Sequence, residues 1–239
     1  LVDYCVVGTG NYHEGTAKLY TDYHLLTAQK RITKEVRKVF TFIESPYKQY
    51  NYKHLMVSPN STRDGIYKLI NREIAHANAG REAKFWVKIN SVSDHGMIAK
   101  LYEASAAGVS IRMVVRGINC IDFSDSSLSG NIEAVSIVDR FLEHTRAFCF
   151  HNNDQPEYFI SSADWMTRNL NRRVEVTVPI YDEKIKRQLR DHFEILWKDN
   201  TKSRLFDANQ SNAYRKLNGP KIRAQLELHS YVKKQLLKG

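Results

Sequence analysis

The sequence predicts an α/β fold in which a mixed β-sheet is flanked by helices. Three features lead there. Apolar runs at 85–90 and 109–116 bracket a helical stretch at 94–107 that Gly108 closes. Such a strand–helix–strand unit implies parallel pairing through a right-handed crossover. Short apolar runs at 135–138, 146–150, 158–160 and 174–181 add further strands. Amphipathic spacing at 183–197 and 221–237 supplies covering helices at the end.

The elements before residue 85 follow from local signals. Leu1-Val2-Asp3-Tyr4-Cys5-Val6-Val7 reads as a strand that ends in the turn Gly8-Thr9-Gly10-Asn11. A dinucleotide fingerprint fails there, because His13 occupies the third glycine position. The turn is instead expected to face its backbone amides toward a phosphate. A polar stretch runs to about residue 25, and a charged helix is expected at 33–43. Residues 45–53, with Pro46 and three tyrosines, read as a linker. A short strand follows at 55–57. Ser61 with Asp64 three residues on reads as a helix start, and Ile66, Leu69, Ile70, Ile74 and Ala77 continue at helical spacing up to Gly80. Domain organisation is therefore expected as residues 1–54, the end of one domain, and residues 55–239, a second and complete one.

Composition limits the function. The chain of 239 residues has 36 Lys+Arg against 26 Asp+Glu, a net charge of +10, which concentrates polyanions without choosing among them. Cys5, Cys120 and Cys149 are scattered, with neither metal spacing nor a disulfide framework, as in a reducing compartment. These residues show neither a signal-peptide pattern nor a long uncharged apolar run, so no membrane-spanning segment is expected among them.

The densest chemical signal is the run from Ser161 to Arg173, directly after the strand at 158–160. It carries three hydroxyls, Asp164, Trp165, two amides and the arginines Arg168, Arg172 and Arg173. Guanidinium forks match phosphate oxygens in pairs, so the mixture suits a multiply charged anion. His144 lies among acids and arginines just before another strand, and histidine is the usual group for proton or phosphoryl transfer near neutral pH. Lys88 and Asn90 fall on one side of their strand, and Arg116 ends the neighbouring one. If these parallel strands end together, the three converge at the carboxyl edge, where ligands of α/β sheets bind. Tyr20 lies in Lys18-Leu19-Tyr20-Thr21-Asp22 and can stack on a base.

The order of a His-x-basic pair (His144, Arg146), two strands and a Ser/Asp/Asn loop resembles the phospholipase D superfamily. Arg146 stands where that motif has Lys, and His151 where it has Asp. More specifically, the chain resembles the long-type bacterial polyphosphate kinase over nearly its whole length. The resemblance is carried by Gly8-Thr9-Gly10-Asn11-Tyr12, Thr16 through Asp22, Leu25-Leu26-Thr27-Ala28, Val57-Ser58-Pro59, Val115-Arg116-Gly117, Ser136 through His144, and Tyr158 through Arg173. It implies the end of the first and all of the second carboxy-terminal catalytic domain, both phospholipase D-like. It further implies reversible transfer of the ATP γ-phosphate to inorganic polyphosphate, with Mg²⁺, through a phosphohistidine upstream of Leu1. In that family His144, Tyr20 and Arg116 match nucleotide contacts, with His144 catalytic, and the metal positions lie upstream, none in this chain.

Lys88, Asn90, Arg146, Asp164, Arg168, Arg172 and Arg173 are expected as phosphate or polyphosphate contacts. The isolated chain is expected to be inactive, and the full-length enzyme to be a homo-oligomer that does not bind nucleic acid. The expected location is the cytoplasm, with peripheral attachment to the inner membrane as an open alternative. One departure stands out: the family commonly has a histidine at the position of Val6, and a valine neither accepts phosphate nor moves a proton. Two other readings of the same residues are a phospholipase D-like nuclease or phosphodiesterase, and a non-catalytic polyanion-binding domain.

Overall fold

In the computed structural model, which describes residues 2–48 and 50–237, one eight-stranded sheet organises the chain. Its strands are β4 (Met56–Ser58), β5 (Lys84–Ile89), β6 (Ser110–Val115), β7 (Ile132–Ile137), β9 (Ala147–Phe150), β10 (Glu157–Ser161), β11 (Glu175–Ile180) and β12 (Ser203–Leu205), in the order β12-β7-β6-β5-β9-β10-β11-β4. The pairs β5–β6 and β6–β7 are parallel, and all other neighbours are antiparallel. The expected mixed sheet is therefore present, with the crossover helix α4 (His95–Ala106) between β5 and β6. Two small sheets stand outside it. One joins β1 (Cys5–Gly8) to β3 (His24–Thr27), the other β2 (Tyr20–Thr21) to β8 (Leu142–Glu143) in parallel.

Alternation along the strands sorts side chains onto two covered faces. Phe85, Val87, Ile89, Ile111, Met113, Phe148 and Phe150 pack under α3 (Thr62–Asn78) and α4, against Ile66, Ile70, Met97 and Leu101. On the opposite face, Ala147, Cys149, Ile160 and Val178 share a cluster with Ile32 and Val39 of α2 (Lys30–Glu44). Val114, Val135 and Ile137 continue that face beneath Phe193, Leu196 and Trp197 of α7 (Glu183–Trp197). The remaining helices are α1 (Glu14–Ala17), α5 (Ser126–Ser129), α6 (Thr167–Asn171) and α8 (Ala224–Leu236). Among the described residues, no helix is long and apolar enough to cross a membrane.

The polar capping signals were read unevenly. Asp94 caps α4 by accepting from Met97 N, and Gly80 and Gly108 follow their helices at φ +69 and +89. Ser61 stands at the N-cap of α3 but does not cap it. Its hydroxyl accepts from Val57 N at 2.9 Å instead, because the chain turns back on β4 through Pro59. The opening strand begins at Cys5 rather than Leu1, a residue outside the described ones. The strands β2, β3, β8 and β12 and the helix α6 lie where no periodic signal marked them. Each has at most five residues, too short to show a period.

The expected linker is tied down where it ends, at Lys53. Glu35, buried on α2, accepts from Lys53 N at 2.6 Å, His54 N at 2.9 Å and Leu55 N at 2.8 Å. One carboxylate thus closes three backbone donors at the entry to β4. Glu35→Ala strands these donors, and each buried unsatisfied group costs about 1–3 kcal/mol. The variant is expected to lose on the order of 3 kcal/mol of stability, seen as a lower urea midpoint with an unchanged slope.

Candidate active site

The carboxyl ends of β5 and β6 and the start of β9 meet the small β2–β8 sheet, and there the polar side chains collect. Pairing Tyr20 with Leu142 and Thr21 with Glu143 carries residues 20–22 alongside His144. His144 N donates to Thr21 Oγ1 at 3.1 Å. The His144 ring then lies with Nδ1 3.0 Å from Asp22 Oδ1, and its Nε2 3.3 Å from Arg146 Nη2. A carboxylate only accepts and a guanidinium only donates. The ring therefore carries its proton on Nδ1 and presents the Nε2 lone pair. Tyr20 packs its ring 5.0 Å from that of His144, tilted by 56°.

Asp22 has further partners. Thr9 Oγ1 donates to it at 2.8 Å, and a Cβ at Gly10 would overlap its carboxylate, so this turn needs glycine for close approach. The Gly8–Asn11 turn thus faces a carboxylate where a phosphate was expected, and Thr9 N is already bonded to Tyr23 O at 3.0 Å. Burial pushes the Asp22 carboxyl up, but the hydrogen bonds from His144 and Thr9 and the nearby Arg146 charge outweigh it and hold it below the usual range.

Arg146 is buried behind the histidine. Its Nη1 donates to Thr9 O at 2.6 Å and to His144 O at 3.1 Å, and its Nη2 to Asp164 Oδ2 at 2.9 Å. Asp164 in turn accepts from Asn90 N at 2.9 Å and Ser91 N at 3.1 Å. Burial raises its carboxyl, and the Arg146 pairing and these amides bring it below the usual value. The Asn90 amide is satisfied at both ends when its nitrogen donates to Glu143 O at 2.7 Å and its oxygen accepts from Arg146 Nε at 3.0 Å.

The residues singled out in the sequence separate into three groups. His144, Arg146, Asp164, Asn90 and Lys88 form one connected cluster. Lys88 and Asn90 are 2% exposed, and their polar atoms meet protein groups, so neither offers an open face to a phosphate. Arg116 and Tyr20 line a neighbouring cavity of about 300 Å³ with Asp139, Arg140 and Glu143. Arg116 Nε is buried without a hydrogen-bond partner among the described residues, as befits a group that meets a ligand. Arg168, Arg172 and Arg173, on and just after α6, are exposed, and none makes a side-chain hydrogen bond or ion pair to another described residue. They remain available to a polyanion.

Four site residues escaped the sequence reading or were named there without a role. Asp22 was visible only as a neighbour of Tyr20. Glu143 and Gln225 meet across a long sequence separation, with Gln225 Nε2 donating to Glu143 Oε1 at 2.8 Å. Glu175 is a buried carboxylate held by Ser162 and Asn169, and burial pushes its carboxyl above the usual range. No local pattern marks it.

The cluster does not fit a protein-held magnesium ion. That ion wants several free oxygen ligands, whereas Asp22, Glu143 and Asp164 are each matched to a cation or histidine. A second group, Glu82, His151 and Asp154, lies at the far end of β9, where the Lys84 ammonium already sits 2.6 Å from Glu82. A cavity of about 490 Å³ lined by Trp86, Cys149 and Phe193 is also at that end and shares no residue with the cluster.

Fold and site define an α/β domain with a histidine-centred, cation-rich cleft at one end of its sheet. The chain belongs to the polyphosphate kinase family. The model of polyphosphate kinase C-terminal domain 2 matches residues 55–225, and that of C-terminal domain 1 matches residues 1–49. It is 46% identical over 234 residues to a polyphosphate kinase of Vibrio parahaemolyticus, covering 98% of this chain and 34% of that one. To a polyphosphate kinase of Yersinia pestis it is 48% identical, with the same coverage. The crystal structure of polyphosphate kinase from Porphyromonas gingivalis superimposes with a TM-score of 0.95 at 36% identity, over all of this chain and 37% of that one. The chain spans about a third of the length of the curated relatives it matches.

The loop that bears the arginines is anchored by Asp94. Arg63 grips it in a two-pronged pair at 2.6 and 2.8 Å, and Thr167 Oγ1 donates to it at 2.8 Å. The Arg63 bond foremost holds its carboxyl down at about 2, against burial. A depressed carboxyl contributes stability above its unfolded value near 4 and loses it as pH falls through its folded value. Stability is therefore expected to fall between pH ~4 and ~2, and Asp94→Asn to flatten that fall in urea midpoints measured against pH.

Proposed function

We propose that this chain is the part of a polyphosphate kinase that receives ATP and assists transfer of its γ-phosphate to inorganic polyphosphate, reversibly. The observation that carries the proposal is the His144 ring fixed between Asp22 at Nδ1 and the Arg146 guanidinium at Nε2. Family membership supports it. Phosphoryl transfer depends on positioning and charge neutralisation more than on many covalent groups.

In this reading residues 1–54 close the first catalytic domain and residues 55–239 form the second. The nucleophile is a histidine upstream of Leu1. Its nitrogen forms a bond to Pγ while the Pγ–O bond to ADP breaks; a terminal oxygen of the polymer then takes the phosphoryl group and frees the histidine. His144 serves as general acid or base in these steps. Tyr20 and Arg116 hold the nucleotide beside it, and Arg168, Arg172 and Arg173 meet the polymer. Mg²⁺, on this proposal, travels with the triphosphate, since the residues here do not make a cage for it. Val6 is exposed on β1, so no step is assigned to that position.

The nuclease reading finds less support, since the chain has Arg146 and His151 where a phospholipase D motif needs lysine and aspartate. Filter-trapping of labelled polymer from labelled ATP by the full-length protein tests the choice. His144→Gln in the full-length protein is expected to keep the fold and lower turnover by roughly 10²–10⁴-fold, the scale of lost acid–base assistance. The isolated chain is expected to form no phosphohistidine. Acid-labile label on His144, His13 or His151 of this chain would reverse the assignment of nucleophile and assistant.

A further inference from the structure

Lys88 is 2% exposed, lies in the middle of the sheet, and points its ammonium at main chain rather than at solvent. Its Nζ donates to Thr145 O at 3.1 Å and stands 3.7 Å from Glu143 Oε2, a carboxylate that is itself 2% exposed. Asn90, two residues along the same side of the chain, holds Glu143 O. Arg146 Nη1 holds His144 O. The three successive carbonyls of residues 143, 144 and 145 are thus each gripped by a different buried side chain, and His144 is the middle residue.

A buried lysine that only filled space would be replaced without loss by an apolar chain, because taking an ammonium out of water costs several kcal/mol. Here the charge has a defined partner. Glu143 faces it directly and is tied by Gln225 to the start of α8. Arg146 and Arg116 approach from β9 and the end of β6, and Asp164 from the loop after β10. Lys88 itself faces no open surface, which is why it is poorly placed as a phosphate contact.

We infer that Lys88 is a positioning residue: paired with Glu143, it fixes the main chain of residues 143–145 so that the His144 ring stays between Asp22 and Arg146. The inference rests on the transfer reading above. It replaces the expected phosphate contact of Lys88 by a role exerted through the histidine.

The charge state of Lys88 supplies a readout. Burial pushes its ammonium down to about 8; Glu143 opposes this and the two arginines add to it. Because the unfolded lysine binds its proton up to about pH 10.4, the unfolded state holds more protons between pH 8 and that value, and this group adds stability as pH rises there. Loss of positioning above pH 8 is therefore not loss of fold.

The test uses the full-length enzyme, with kcat and KM for ATP measured from pH 6 to 10, and Lys88→Met beside the wild type. The expected result is a kcat lower by roughly 10²-fold, the scale of a small misplacement of a catalytic group, with KM changed by less than about twofold. The wild-type fall in kcat near pH 8 should vanish in the variant, while thermal stability of the wild type does not fall in the same window. A raised KM with unchanged kcat would overturn the inference and restore a direct phosphate contact. Unchanged kcat and KM would overturn it as well.

If Lys88→Met fails to fold, the pair Lys88→Met with Glu143→Gln removes both buried charges, and full kcat in that protein would overturn the inference. The ¹⁵N signals of the His144 imidazole are read on this chain itself, in wild type and variant. Retention of the Nδ1–H signature in the variant would overturn the inference. Its loss alongside a wild-type enzyme that makes no polymer would instead put the failure on the transfer reading.

Discussion

Arg146 joins parts of the chain that are far apart in sequence. From the start of β9 it reaches Thr9 in the amino-terminal turn, the main chain of its own neighbour His144, and Asp164 beyond β10. Each contact involves a group with no water to fall back on. A buried arginine costs free energy unless its donors are matched, and once matched it is the more costly to disturb: removing one partner of such a pair costs about 3–5 kcal/mol. The planar fork is what lets one side chain satisfy acceptors from three segments at fixed angles. The position of His144 is a consequence. Its carbonyl and its Nε2 both face the guanidinium, so the ring can turn only toward Asp22.

Around this joint the charges divide by depth. Lys88, Glu143, Arg146 and Asp164 are buried and balance one another, two cations against two anions. They set geometry and leave little net field. The unbalanced cations lie further out: Arg116 beside the Tyr20 cavity, and Arg168, Arg172 and Arg173 on the exposed loop. A ligand carrying several negative charges would therefore meet free guanidinium groups before it reached the neutral interior that orients the histidine. Rigid charge inside and free charge outside suits a reaction in which a phosphoryl group is aligned rather than chemically transformed at many points.

Much of this was legible in the residues. The parallel unit from β5 through α4 to β6 was announced by apolar runs and Gly108. The amphipathic α7 spans 183–197 as its spacing indicates. The cluster of His144, Arg146 and Asp164 was marked by a concentration of charge that no core needs. What remained hidden depends on contacts between distant segments. The β2–β8 sheet has two residues per strand and joins positions more than a hundred apart, so no pattern reveals it, yet it helps bring Asp22 to His144. Glu175 and Gln225 are single polar residues on otherwise ordinary elements. The burial of Lys88 was not legible either, because strand alternation gives the side of a sheet but not whether that side is open, and here its ammonium meets Thr145 O and Glu143 of β8.

The central claim is that Asp22 and Arg146 act on His144 as one unit. A double-mutant cycle in the full-length enzyme tests it most directly, using Asp22→Asn, which keeps the size but not the charge, and Arg146→Lys, which keeps the charge but not the fork. Residues that serve one group are strongly non-additive. Each single change is expected to lower kcat by roughly 10²-fold, and the double variant to be no slower than the slower single one. Losses that multiply in the double variant, or a single variant with wild-type kcat, would show that the two residues do not hold the histidine together.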